Sequence, residues 1–320
     1  MSGTSDQDYL QAIQRATQKI KQLKEENAAL KQGSARLSSG VAVIGMGCRF
    51  PGEAQDLDSF WRVLSEGIDT ISEIPAERWS LNQYFDTNSD APGKSYAKHG
   101  AFLKGIDQFD ADFFRISPKE AKAMDPQQRI LLEVCWQAFE HAGLTQEALK
   151  GSRTGTYIGI STCDYSQNHL TSGDLSQINA YSLSGVSHST CAGRISYLFD
   201  LHGPCLAIDT ACSSSLAAMH LAIQSLRNNE IDMAIVGGVN IITRPELYVG
   251  FSKIHALSVD GKCKAFDDAA NGYVRGEGCG VIILAREDFA REHQYPVLAT
   301  VKGSAINQDG ETNGLTAPNA

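Results

Sequence analysis

Apolar positions along the chain follow two alternating periods. Short apolar runs at 41–47, 156–160, 205–208, 233–239, 279–284 and 297–301 read as buried strands. Between them the spacing turns helical. Leu57, Phe60, Trp61 and Leu64 make a stripe that ends at Gly67. Asp125-Pro126 opens a second helix, with Asp as N-cap and Pro at the first helical position. Ile130, Leu131, Val134, Cys135, Ala138 and Phe139 form its apolar face, and Gly143 stops it. A third, rich in Ala and Leu, covers 216–226. Residues 80–100 are polar and turn-rich and read as a surface loop. Apolar strands alternating with helices predict an α/β fold with a mostly parallel sheet covered on both faces.

The first residues obey a different rule. Tyr9, Ile13, Ala16, Ile20, Leu23, Asn27 and Leu30 alternate spacings of four and three. Ile13, Ile20 and Asn27 then occupy heptad position a, and Tyr9, Ala16, Leu23 and Leu30 position d. Branched residues at a with Leu at d favour two parallel strands, and one Asn at a fixes register. The flanking charges are mixed, because Lys19 and Lys24 would repel where Glu26 and Lys31 would pair. The pattern predicts a helical coiled coil over 5–32, within a docking and dimerisation segment 1–36. A Gly/Ser-rich linker leads from it into a domain covering 37–320.

Composition narrows the function. Charged residues make up 20% of the 320 and the formal net charge is −9, without Lys/Arg-rich blocks, which argues against nucleic acid. No run is long enough for a membrane span, and the polar N-terminus is not a secretory signal. The eight cysteines (48, 135, 163, 191, 205, 212, 263 and 279) include no C-x-x-C pair. That spacing argues against a zinc site and a disulfide framework and predicts a reduced, cytoplasmic protein.

Two nucleotide-binding patterns fail on inspection. Gly45-x-Gly47 follows a strand, but Phe50 holds the third glycine position and Pro51-Gly52 prevents a helix there. Ala91-Pro92-Gly93-Lys94-Ser95 is no P-loop, because Asn88 stands at its first glycine position. The strongest chemical signal is Asp209-Thr210-Ala211-Cys212-Ser213-Ser214-Ser215-Leu216. It places Cys212 where the strand 205–208 becomes the helix 216–226. A thiol there meets unpaired backbone N–H groups and the positive end of the helix dipole, which activate it as a nucleophile. The same N–H groups suit an oxyanion. A buried structural cysteine is the competing reading.

Asp209 to Leu216 resembles the active-site signature of β-ketoacyl synthases, specifically the ketosynthase domains of modular polyketide synthases. The resemblance runs over about 41–320. It includes Val43-Ile44-Gly45-Met46-Gly47-Cys48-Arg49-Phe50-Pro51-Gly52, Met124-Asp125-Pro126-Gln127-Gln128-Arg129 and Gly237-Gly238-Val239-Asn240. It continues through Lys264-Ala265-Phe266-Asp267, Gly272-Tyr273-Val274-Arg275-Gly276-Glu277-Gly278 and Asn307-Gln308-Asp309-Gly310. Val259 and Ala265 stand where such proteins often have proline, and Cys279 where they often have alanine. The resemblance implies a thiolase-like fold of two similar halves and a cytoplasmic homodimer. It makes Cys212 the residue that carries the acyl chain as a thioester, with its own backbone N–H as oxyanion donor. Substrates would arrive on the phosphopantetheine of an acyl carrier protein, and no cofactor or metal would be bound. Residues 1–36 resemble docking segments that receive the upstream synthase subunit.

The family also uses two histidines, in His-Gly-Thr-Gly-Thr and Asn-x-Gly-His motifs, to condense the acyl chain with a malonyl-type extender. Neither motif occurs here. The histidines at 99, 141, 169, 188, 202, 220, 255 and 293 read as surface or core residues. His220 lies eight residues along the helix from Cys212, a rise of about 12 Å, too far to act as its base. The expectation is therefore the first half of a ketosynthase, a fragment or incomplete sequence that is inactive in condensation on its own. The alternative is a non-catalytic docking and dimerisation module. A serine hydrolase using Ser213–Ser215 lacks the G-x-S-x-G elbow and a placed base.

Overall fold

A computed structural model describes residues 15, 17–24, 40–168 and 170–314. The chain divides into two units, Met1–Gly40 and Val41–Ala320. In the first, residues 17–24 are helical, with Ile20 and Leu23 exposed. Most of the heptad pattern over 5–32 lies outside the described residues.

The second unit is built on a six-stranded sheet. Its strands are β1 (Val41–Arg49), β4 (Thr154–Gly159), β5 (Cys205–Ile208), β6 (Met233–Asn240), β8 (Gly278–Arg286) and β9 (Ala299–Val301), in the order β5-β4-β6-β8-β1-β9. A small second sheet joins β2 (Ser72–Glu73), β3 (His99–Ala101) and β7 (Arg275–Gly276). Helices of eight residues or more are α1 (Leu57–Ser65), α2 (Pro126–Ala142), α3 (His188–Phe199), α4 (Ser214–Arg227) and α5 (Glu246–Lys253). All six strands stand where the apolar runs predict them, but the sheet is more mixed than expected. β4 pairs parallel with β5 and β6, whereas β8 runs antiparallel between β6 and β1, and β9 is antiparallel to β1. An apolar run marks a strand buried on both faces without specifying its direction.

Both faces of the sheet are covered. Alternation of period two sends Ala42, Ile44, Ile158, Met233, Ile235, Val281 and Ile283 into one core, with α2 and α3. Val41, Val43, Tyr157, Ala234, Val236 and Leu284 enter the other, with Ala218, Ala222, Ile223 and Leu226 of α4. Helix α2 forms as predicted. Asp125 accepts the Gln127 amide hydrogen at 2.8 Å, Pro126 is the first residue, and Gly143 ends the helix in the left-handed region at φ 67°. All six residues of the predicted apolar face are buried. Gly45 and Gly47 serve this helix. A Cβ at either would lie 2.6 Å from a carbonyl oxygen of α2, Ala138 or Val134. The glycines that mimic a nucleotide fingerprint let β1 and α2 approach closely.

Two expectations shift. Helix α1 forms over its stripe, yet Trp61 and Leu64 face outward while Phe60 stacks near Phe50, ring centroids 4.7 Å apart. The segment read as a surface loop, 80–100, contains a buried end. Ser95 is buried, Tyr96 and Ala97 join Trp79, Phe102, Tyr248 and Leu257 in a third core, and the Tyr96 hydroxyl donates to the Leu257 carbonyl at 2.9 Å. Turn chemistry set the polar reading; packing against α5 buries the segment.

Candidate active site

Strand β5 ends at Ile208, and α4 begins at Ser214. The five residues between form a tight corner. The Ala211 amide donates to Asp209 Oδ1 at 3.0 Å, and the Ser213 hydroxyl to the Thr210 carbonyl at 2.8 Å. The Thr210 amide donates to Ser214 Oγ at 2.9 Å, and Ser214 Oγ to the Ala211 carbonyl at 2.6 Å. The serines behind Cys212 thus satisfy the backbone of the corner, which is why their local bonding suits a first turn. Ala211 sits in the left-handed region at φ 54°, a strained conformation for a residue with a Cβ. It presents Cys212 within a 3₁₀ turn directly ahead of α4, exposed to solvent. Among the described residues the Cys212 amide hydrogen has no protein acceptor.

The corner rests on the sheet because two strands carry a glycine at or near their C-terminal end, Gly159 of β4 and Gly238 of β6. A Cβ on Gly159 of β4 would lie 2.6 Å from the Ser215 nitrogen, and one on Gly238 of β6 2.9 Å from the Ser215 Cβ. Any side chain there would lift the start of α4 off the strand ends. Cys212 opens onto a cavity of about 770 Å³. Its apolar wall includes Ile160, Val239, Leu247 and Phe251; Thr162, Asn240, Tyr273 and Arg275 add polarity.

Behind that wall lies an ordered polar network. Thr162 Oγ1 lies within hydrogen-bond distance of Gln127 Oε1 and Asn240 Oδ1, 3.2 Å from each, and Asn240 Nδ2 donates to the Gly276 carbonyl at 2.7 Å. Gln127 Nε2 donates to the Thr162 carbonyl at 2.9 Å and to Asp125 Oδ2 at 3.2 Å. Burial pushes the Asp125 carboxyl up to about 6, against the lowering effect of its bonds from Gln127. Glu277 accepts from the Leu103 amide at 2.7 Å, the Ile242 amide at 2.8 Å and Arg78 at 3.0 Å. Its side chain is fully buried, and burial raises its carboxyl despite the Arg78 guanidinium. This one carboxylate clamps three chain segments behind the cavity.

No histidine lines the cavity among the described residues. His220 Nδ1 meets Ser304 Oγ at 2.9 Å, His188 Nε2 meets the Thr162 carbonyl at 3.0 Å, and His141 Nδ1 accepts from the Met46 amide at 3.1 Å. The Cys212 corner stands where the sequence places it. The surrounding polar residues were present as motif matches, in Met124–Arg129, Gly237–Asn240 and Gly272–Gly278, but without roles. Only folding shows that the last two stretches line one cavity, with Gln127 of the first bonded to Thr162 in its wall.

Comparison with known proteins agrees. A family model described as the beta-ketoacyl synthase N-terminal domain matches residues 38–290. A phenolphthiocerol/phthiocerol polyketide synthase component of Mycobacterium bovis is 50% identical over 280 residues, covering 88% of this chain and 15% of that protein. The phenolphthiocerol synthesis polyketide synthase type I Pks15/1 of the same species is 48% identical over 299 residues, covering 93% of this chain and 14% of that one. Among solved structures, an oxazolomycin ketosynthase domain from Streptomyces albus JA3453 superposes with TM-score 0.83 at 39% identity, covering 88% of this chain and 48% of that chain. The ketosynthase from module 6 of the Bacillus subtilis 168 bacillaene synthase gives TM-score 0.77 at 41% identity, covering 87% and 46%. The chain belongs to the β-ketoacyl synthase family, and its fold is thiolase-like. It spans about one-seventh of these curated relatives and about half of the solved ketosynthase chains.

Proposed function

We propose that the chain supplies the nucleophile-bearing part of a polyketide synthase ketosynthase, with Cys212 as the acyl acceptor. The observation that carries this is the Cys212 corner: an exposed thiol ahead of a 14-residue helix, on a strained turn, opening onto a cavity. An acyl thioester delivered on the phosphopantetheine of an acyl carrier protein would be attacked by the Cys212 sulfur. The new C–S bond forms as the carbonyl oxygen takes negative charge, held by the unpartnered Cys212 N–H. Collapse expels the pantetheine sulfur, which leaves as the thiol with the proton from Cys212. Condensation with a malonyl-type extender then needs donors for the enolate. The family places these in two histidine motifs that this sequence does not contain.

The test is to offer an acyl thioester and follow intact mass. Addition of one acyl group to Cys212, lost in Cys212→Ala, supports the reading. No acyl adduct on the wild-type protein overturns it.

For residues 5–32 the heptad pattern supports docking with an upstream subunit and self-association. A peptide of residues 1–36 should form a weak parallel dimer that Asn27→Ile tightens. A monomer in both forms at high concentration refutes self-association. No helix among the described residues is long and apolar enough to cross a membrane.

A further inference from the structure

One buried cation at the cavity has no obvious partner. Arg275 is 7% exposed and lines the Cys212 cavity, yet among the described residues its Nη1 has no hydrogen-bond acceptor. Its guanidinium carbon instead sits 5.1 Å from the Tyr248 ring centroid and 5.5 Å from that of Phe251. Phe251 in turn meets Tyr273 edge-to-face, centroids 5.8 Å apart at 76°. Phe251 and Tyr273 line the cavity, whereas Tyr248 is fully buried behind it. Tyr273 and Cys212 line the same cavity.

A buried guanidinium nitrogen without an acceptor is unfavourable unless ring faces and carboxylates offset the lost water. Here two rings do, and the carboxylates of Asp164 and Glu277 act on it from further away. A planar cation against two rings fixes their orientation in a way a flexible aliphatic chain cannot. The backbone around it is also tied down. Arg275 pairs with Gly100 across the small sheet, and the next carbonyl, that of Gly276, accepts from Asn240.

We propose that Arg275 is a positioning residue: its guanidinium locks Phe251, and through it Tyr273, as an aromatic wall of the Cys212 cavity that selects acyl chains by their bulk beside the thioester carbonyl. This rests on Cys212 being the acyl acceptor. The wall matters for atoms near the nucleophile, because Tyr273 and Phe251 line the cavity onto which Cys212 opens. Loosening it should admit a branched α-carbon more readily while leaving a straight chain little affected.

The experiment measures the second-order rate of Cys212 acylation with a butyryl and a 2-methylbutyryl thioester, on this chain. Arg275→Met should shift the branched-to-straight ratio by about tenfold toward the branched chain. Phe251→Leu should shift it the same way, and the double variant should add little beyond either single one. Arg275→Lys, which keeps charge without the plane, should fall between wild type and Arg275→Met. A general loss of stability would instead lower both rates by one factor. Equal losses for both thioesters in Arg275→Met overturn the proposal. If Arg275→Met does not fold, an unchanged ratio in Arg275→Lys beside a shifted ratio in Phe251→Leu overturns it, and an intermediate shift in Arg275→Lys upholds it. A wild-type protein that loads neither thioester removes the acyl-acceptor reading, and this inference with it. Normal loading with unmoved ratios removes the inference alone.

Discussion

Cys212 and Cys191 are the same residue in opposite surroundings. Cys191 lies in α3, buried with Cys135 of α2 and Cys279 of β8 in the core on one face of the sheet. Burial pushes all three thiols up, and Cys279 adds to the rise at Cys135 and Cys191. A thiolate has no water there, and the opposing pull of Arg194 on Cys191 and of Arg49 on Cys279 does not offset burial, so these sulfurs behave as small apolar groups. Cys212 stands at the sheet's exposed edge, where β5 itself is only half covered and α4 begins. Sulfur chemistry in this protein is thus decided by the site, and by two glycines that let a helix start against the strand ends.

The sharpest way to break the comparison is to exchange reactivity between the two places. Cys212→Ala should abolish acyl loading, whereas Cys191→Ala should leave it unchanged. With iodoacetamide at neutral pH and peptide mapping, Cys212 should label fastest of the eight. Cys48, Cys135, Cys191 and Cys279, all buried, should label only on unfolding. Faster labelling at any of those four would sink the contrast. So would slower labelling at Cys212 than at the exposed Cys163, Cys205 and Cys263.

A second expectation concerns what seats the corner. Gly159→Ala places a Cβ within 2.6 Å of the Ser215 nitrogen, and backbone must move. A shift near 1 Å at a nucleophile lowers rate by about 100-fold. Loading should fall by that order while Cys212 remains alkylated, since exposure is retained. Unchanged loading in Gly159→Ala would show that the close approach of α4 to the sheet is not what positions the sulfur.

The difference between the two regions also explains what was legible in the sequence. The strands, α2 with its caps, and the β5–α4 corner follow from apolar periodicity and local bonding by Asp125, Ser213 and Ser214. These act over a few residues and leave local marks. The direction of β8, the burial of Tyr96 and the outward turn of Trp61 depend on partners far along the chain. Arg275 and Glu277 were visible within a motif, but their partners Tyr248, Phe251, Arg78 and Leu103 come from other stretches. Periodicity carries no signal for such convergence. The heptad pattern of residues 5–32 is legible, though only its middle lies within the described residues.

The smallest expected effect tests whether the core penalises charge in the way its thiols imply. Asp125 sits beside that core, acting electrostatically on Cys191, and burial raises its carboxyl from 3.8 to about 6. Below pH 4 it is protonated whether the chain is folded or not, and nothing is lost. As pH rises from about 4 to 6, the unfolded chain releases this proton while the folded one retains it, so stability falls across that window. The ceiling on the loss is about 3 kcal/mol, reached above pH 6. Asp125→Asn carries no charge and is as good an N-cap, but its amide would face Gln127 Nε2, which now donates to Asp125 Oδ2. The net gain at pH 7.5 should therefore be about 1–2 kcal/mol, disappearing at pH 4. Urea unfolding of both proteins at the two pH values measures it. A variant less stable than wild type at pH 7.5, or a gain that persists at pH 4, would mean that the charged Asp125 is held by its bonds from Gln127 more firmly than burial opposes it.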